Sequence, residues 1–462
     1  MQFTKKQIIF LTVGGVTAFI LALVALDMLP GLNYKENITT LTFWGVDDPK
    51  IWAKTITNFR TDRPDLAISY KRISEDNYEK ELVNAMALGK GPDIFMFENN
   101  WLLKHGDKVA PAPPGKMTTD TVKTLFPQVA EDDFLANNQV YALPLYIDTL
   151  AMVYNRTLFD QGEIVFPPKT WNEVALATSA LKIVEGDTIK RGAFALGGSS
   201  RNIVNAADIV SAFFLQNGNS MVNKELNRST FSDRKGKDAF SIYVRFADPA
   251  SSSYTWNQSL HMDSEALVRG EVAAIFAYAT EAQDLEDRNS FLDIGVAPLP
   301  QIDPTDEVSM ADYWGLAVSG RSSHKIKGKM VNTTREAWDF VIFATTNEDA
   351  ASTYMAHTGR PPALRTLINE IIATNENTAA AYAVYKERRP ALRTVIDKTI
   401  ANPKLGIFAS QALTARSWLR LGEESFAEAF DGAVEATLNG ELAAPKALDR
   451  AGGIITEELQ SR

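Results

Sequence analysis

The chain has 462 residues, enough for two or three domains that each bury a core, and its apolar share of 45% and charged share of 23% are those of a globular protein. A formal charge of -10 argues against a nucleic-acid partner, because such a balance leaves little to neutralise phosphates. The absence of cysteine excludes a disulfide framework, a thiolate metal site and a lipid acceptor on this chain.

Ile8 to Leu26 is an uncharged apolar run, long enough to cross roughly 30 Å of hydrocarbon as a helix. Lys5 and Lys6 precede it, so the positive-inside rule keeps the N-terminus in the cytoplasm and exports the rest. A cleaved signal peptide is the rival reading. The run exceeds an ordinary signal core and Leu23-Val24-Ala25 is a poor cleavage site, which favours an uncleaved anchor. The expected layout is a cytoplasmic N-terminus over 1–7, a membrane helix over 8–28 and a tether over 29–40.

Beyond the tether, Leu41 to Trp44 reads as a strand, and Pro49 opens a helix to about Thr61 with Trp52, Ile56 and Phe59 at helical spacing. Leu66 to Arg72 is strand-like, Tyr78 to Leu88 is an amphipathic helix closed by Gly89, and Ile94 to Phe97 is a short buried strand. This alternation predicts a parallel sheet wrapped by helices, with ligands outside the carboxyl ends of its strands. The stretch Val140 to Asn155 reads as strand, bend and strand without the Gly or Asn of a tight hairpin, which fits a crossing between two sheets.

Thr170 caps a helix from Trp171 to about Val184, with Glu173 at the capping-box position. Gly192 to Leu196 is a strand, Gly197 to Ser200 a loop, and Ile203 to Gln216 a helix. Met262 to Arg269 reads as a helix, Ala273 to Tyr278 and Ile294 to Ala297 as strands, and Ala311 to Ser319 as a second crossing. Arg335 to Thr345 and Ala350 to His357 are helical, Thr358 to Pro362 is a break, and the remainder to Gln460 is mostly helical. Pro362 to Ala373 and Pro390 to Ala401 share a P-A-L-R-T pattern, too few copies for a solenoid.

Several stretches in order resemble one family: LTFWG at Leu41, PDIF at Pro92, the first crossing, EALVRGEVAAIFAY at Glu265, DIGVAPLP at Asp293, YWGLAVSG at Tyr313 and TGRPPA at Thr358. Together they are similar to the extracellular solute-binding proteins of ABC importers, in the carbohydrate-binding group that includes maltose-binding protein. The resemblance implies a two-lobed α/β clamshell of discontinuous lobes with parallel-rich sheets. It places residues 41–146 and 315–358 in the first lobe and 147–314 and 359–462 in the second, with hinge positions at Ile147, Thr149, Gly315 and Gly359. An ABC permease on other chains is the implied partner, and no cofactor is implied.

The candidate ligand-binding residues stand at strand ends and crossings: Trp44, Asp47, Asp48, Glu98, Asn99, Asn100, Trp101, Tyr146, Asp148, Tyr278, Tyr313 and Trp314. Sugars present apolar C–H faces rimmed by hydroxyls, so flat aromatic platforms beside short polar side chains suit them. Trp52, Trp338 and Trp418 have the spacing of core residues, Trp171 reads as structural, and for Trp256 burial is favoured over a place in the cleft. Asp47, Asp48 and Glu98 also admit a glycosidase carboxylate pair, although no catalytic pattern surrounds them. The four histidines lack metal spacing and are expected at surface or helix-end positions; Gly197 to Ser200 is no phosphate loop; Arg360 is read as bracing the third break. The expected function is capture of a sugar or oligosaccharide outside the cytoplasmic membrane. An exported carbohydrate-active enzyme and a ligand sensor with a non-sugar ligand are the alternatives.

Overall fold

The computed structural model describes residues 38–289, 291–326, 329–376, 404–418 and 423–461. The expected membrane helix and the second P-A-L-R-T copy lie outside these residues. Among the described residues no helix is long and apolar enough to cross a membrane.

Two hydrophobic cores each enclose a five-stranded sheet. In the first, β1 (Thr39–Gly45) is flanked by β2 (Leu66–Arg72) and β3 (Ile94–Glu98), all parallel, joined by helices α1 (Pro49–Asp62) and α2 (Glu75–Ala87). Asp48 starts α1 by accepting from the Lys50 amide at 2.9 Å, and Pro49 supplies a φ already suited to the first turn. The core side of β1 places Phe43 against Trp52 of α1 and Phe340, with Phe59 also on Phe340. Helix α2 begins one turn earlier than Tyr78, because Ser74 takes the extended cap conformation and Glu75 and Asp76 fill the first turn.

The first crossing resolves into three strands, β4 (Ala142–Pro144), β5 (Asp148–Thr149) and β6 (Ala151–Asn155). In the second core, β6 is the centre of an antiparallel group, because it enters from the crossing against the direction of the later strands. Helix α3 (Trp171–Leu181) stops three residues short of Val184, as β7 (Ile183–Glu185) turns back at Gly186, φ +60°, to pair with β8 (Thr188–Phe194). Helix α4 (Ala206–Gln216), β9 (Val272–Ala277), α5 (Ala279–Arg288) and β10 (Ile294–Ala297) complete the unit. Only β8 and β9 pair in parallel here, so the expectation of parallel-rich sheets holds for β1 to β3 and not for the second sheet.

Between the cores lies a three-stranded sheet. Strand β11 (Ser309–Asp312) pairs antiparallel with β5 and parallel with β13 (Ala415–Arg416), while β12 (Trp314–Val318) continues into the first sheet between β3 and β4. Helix α6 (Lys404–Gln411) locks this joint through Gln411, whose carbonyl accepts from Leu299 N at 2.8 Å and whose amide donates to Thr149 Oγ1 at 3.2 Å. The segment 405–418 serves both cores, with Ala412 and Ala415 in the first and Phe408 and Trp418 in the second.

Two sequence expectations change here. Ala363, Leu364, Leu367 and Ile368, assigned by sequence to the second lobe, bury in the first core, because the helix they start packs back over residues 119–125. Gly315 is no hinge: it is paired on both sides within β12, and a Cβ there would lie 2.5 Å from the Leu143 carbonyl oxygen, so the residue serves close strand packing.

Candidate functional site

The carboxyl ends of β1 and β3 from one core, and of β9 from the other, abut the connecting sheet. The loop after β1 carries Asp47, whose carboxylate is buried and paired. Arg360 Nη1 donates to Asp47 Oδ1 at 3.1 Å and to the Tyr354 hydroxyl at 2.9 Å, and that hydroxyl donates to Asp47 Oδ2 at 3.0 Å. The guanidinium also lies over the Tyr146 ring, 4.5 Å from its centroid, and Tyr146 stacks on Tyr354. Burial pushes the Asp47 carboxyl above its usual range, and Arg360 pulls against it. Gly359, in the left-handed conformation at φ +72°, turns the chain so that Arg360 reaches this hub, while Tyr146 bridges to Pro362.

Asp148 on β5 is also buried. Its oxygens accept from the Ala279 amide at 3.1 Å and the Thr149 amide at 2.8 Å, so it closes the N-terminus of α5. Desolvation outweighs these donors and raises its carboxyl to about 7. Tyr278, the residue before α5, donates its hydroxyl to Asp208 at 2.9 Å and its amide to Glu281 at 2.8 Å.

A third network surrounds Asp133, again raised by burial to about 7. Its carboxylate accepts from Tyr313 at 2.6 Å, from Asn99 Nδ2 at 3.2 Å, and from Ser417 just beyond β13. Asn99 Oδ1 has no partner. Next to it, Asn100 donates to Glu98 Oε1 at 2.7 Å.

The predicted binding residues therefore divide. Trp44 is half-buried and Asp48 exposed, at the open end of β1, with the Lys71 ammonium 4.1 Å over the Trp44 ring. The other ten sit below the surface. Trp101 and Trp314 are not open platforms: both pack with Tyr78 of α2, because the alternation of β12 turns Trp314 toward that helix. Tyr313 faces Asp133, and Tyr146 faces Arg360. Trp52, Trp171, Trp256, Trp338 and Trp418 are buried, Trp256 donating to Asn202 Oδ1 at 3.1 Å. His105 is at a helix end, the last residue of the short helix Leu102–His105, and is buried there against Trp101 and 2.7 Å from Glu79.

Asp47 is committed to Arg360, Asp48 to a helix start and Glu98 to Asn100, so this acid set offers no ready acid and nucleophile for glycoside cleavage. Sequence reasoning missed Asp133, Gln411, Tyr354 and Ser417. Their partners lie hundreds of residues away in several cases, and the one local signal was the glycine and double proline flanking Arg360.

The profile of the bacterial extracellular solute-binding protein family matches residues 45–351, more than half of the chain. The maltotriose-binding protein of Pyrococcus abyssi is 22% identical over 315 residues, which cover 66% of this chain and 62% of that protein. A protein of Brucella abortus named as a binding protein is 21% identical over 248 residues, 52% of this chain and 57% of its own length. The chain thus spans less than two thirds of these curated relatives. The cyclic alpha-maltosyl-1,6-maltose binding protein of Arthrobacter globiformis superposes with a TM-score of 0.70 at 15% identity, covering 92% of this chain and all (100%) of that one. The sugar-binding protein MalE of Xanthomonas citri gives a TM-score of 0.70 at 18% identity, covering 92% and 98%. At these identities the structures share the fold, and these relatives and structures are substrate-binding proteins rather than enzymes. The chain belongs to the family of bacterial extracellular solute-binding proteins.

Proposed function

We propose that this protein captures a sugar or oligosaccharide outside the cytoplasmic membrane and hands it to an ABC permease, held at the membrane by residues 8–28. The observation that carries this reading is the meeting of strand ends from two separate cores on one connecting sheet. A ligand seated there touches both lobes only when they approach, so its differential contacts favour the closed form. The saccharides named for the relatives suggest the ligand class. Trp44 and Asp48 contact the ligand directly, Asn99 and Asn100 set the floor beside them, and the hub of Asp47, Tyr146, Tyr354 and Arg360 fixes the hinge end of β1. Asp148 and Tyr278 hold the start of α5 on the opposite wall, and Ile147, Thr149 and Gly359 carry the bend. Residues 8–28 supply the membrane hold that the absent cysteine denies to a lipid.

A thermal-shift screen tests this with maltotriose, maltotetraose and other saccharides, alongside polyamines and peptides. Ligand at a hundred times its dissociation constant stabilises a protein by about 2.7 kcal/mol, a visible rise in Tm. A rise with a saccharide that weakens in Trp44→Ala is the expected result. A rise with a polyamine or peptide alone would remove the carbohydrate reading and leave the family intact.

A further inference from the structure

The end of the first lobe opposite the candidate site has a different surface. Strand β12 runs antiparallel to β3, so Ser319 and the hairpin after it, Ser323–Ile326 with Lys329–Asn332, fall at the amino ends of the parallel strands. Asp93 ties the corner together: it accepts from Thr42 N on β1 at 2.7 Å, from Ser322 Oγ at 2.8 Å, and lies 2.8 Å from His324 Nε2. The hairpin therefore stands beside the start of β1, where the tether enters.

In a chain of net charge -10 this corner is basic. Lys90 and Arg321 are exposed, and Lys108 is paired with Asp107 at 2.8 Å. Exposed apolar side chains stand among these cations, Leu88 at 73% and Met330 at 68%. Beside them is a recess of about 540 Å³, walled by Val83, Met86, Gly91, Lys108, Gly320 and Arg321. Cations mixed with protruding apolar chains suit a surface that is anionic at its headgroups and apolar beneath.

We propose that this corner docks on an anionic phospholipid surface, through Lys90, Lys108 and Arg321, with Met330 and Leu88 entering the headgroup layer. The proposal rests on the reading that residues 8–28 span the membrane. The eleven residues from 29 to Thr39 then reach at most roughly 40 Å, which keeps the corner near the bilayer. Contact there holds the first lobe down by its outer end and leaves the second free to move about the connecting sheet.

The chain has no cysteine, so Met330→Cys gives a single labelling site, with Phe291→Cys, 96% exposed on the second lobe, as control. The full chain, labelled with bimane, is placed in nanodiscs of phosphatidylcholine containing nitroxide-headgroup lipid, with or without about one third phosphatidylglycerol. The expected result is quenching at 330 in the anionic discs, little in the neutral ones and little at 291 in either. Quenching at 330 no greater than at 291 in anionic discs would overturn the proposal and point any function of the patch to an acidic protein. Failure of the chain to enter discs would count against the anchor alone, and cosedimentation with vesicles of the same lipids then decides the patch. Replacing Lys90→Glu, Lys108→Glu and Arg321→Glu together should weaken binding to anionic vesicles at least about a hundredfold, at roughly fivefold per cation removed. Absence of binding by the unsubstituted chain, or unchanged binding in the triple variant, overturns the proposal.

Discussion

Replacing Arg360→Ala is expected to cost about 3–5 kcal/mol of stability, the range for breaking a buried ion pair from one side. Its side chain is 18% exposed and that of Asp47 only 5%, so the substitution strands a carboxylate that water reaches poorly. It also removes a donor from Tyr354 and the cation from the Tyr146 face. Urea unfolding measures the loss. A second variant separates the pair from its burial: Arg360→Met with Asp47→Leu removes both charges, and should recover much of what the single change loses. A loss below about 1 kcal/mol in Arg360→Ala would mean that the pair is effectively solvated and that the hub does not brace the joint.

The second large effect is a fall in stability as pH rises from about 4 to 7. Asp133, Asp148 and Asp263, the last buried where it accepts from the Val204 amide at 3.3 Å, each have a carboxyl raised by burial from 3.8 to about 7. A group whose folded value lies above its unfolded one binds more protons in the folded state. Its stabilising contribution is complete below pH 3.8 and is lost as pH rises through about 7. Each group contributes a slope of up to about 1.4 kcal/mol per pH unit inside that window. Asp133→Asn and Asp148→Asn should each flatten the profile by one group's share, measured as unfolding free energy against pH. Glu79, held down to about 2 first by His105 and despite burial, acts in the opposite sense below the window. A profile rising from about pH 4 to 7 would show that the donors around these carboxylates outweigh their desolvation.

Much of the frame was legible because local chemistry and periodicity agreed. Asp48 and Pro49 mark the start of α1, the apolar run at Ile94 marks β3, and the lack of turn residues at Tyr146 to Thr149 marks a passage between sheets. Helix α5 was hidden, because Tyr278-Ala279-Thr280 continues an apolar strand and its cap comes from Glu281 and from Asp148 on another element. The direction of β6 within its sheet has no local signature either.

The site was legible as positions and less so as orientations. Strand ends can be read from a pattern, but the face on which Trp314 or Tyr313 lands depends on the register of β12 against β3 and β4. Asp47 finds Arg360 across 313 residues of sequence, and no local pattern encodes that pairing. Aromatic residues beside a crossing therefore mark the joint as readily as they mark a ligand platform.

Closure is the central claim, and it can be read as a distance. With no native cysteine, Leu88→Cys on the first lobe and Phe166→Cys on the second, both exposed, accept a donor and acceptor dye pair. Titration with maltotriose, maltotetraose and other saccharides, followed by energy transfer between the dyes, measures the approach of the lobes. The account predicts a saturable change in transfer with at least one saccharide, absent in Trp44→Ala at the same concentration. A saccharide that binds and stabilises the protein while transfer stays constant would contradict the closing mechanism, and no response to any saccharide would contradict the carbohydrate reading itself.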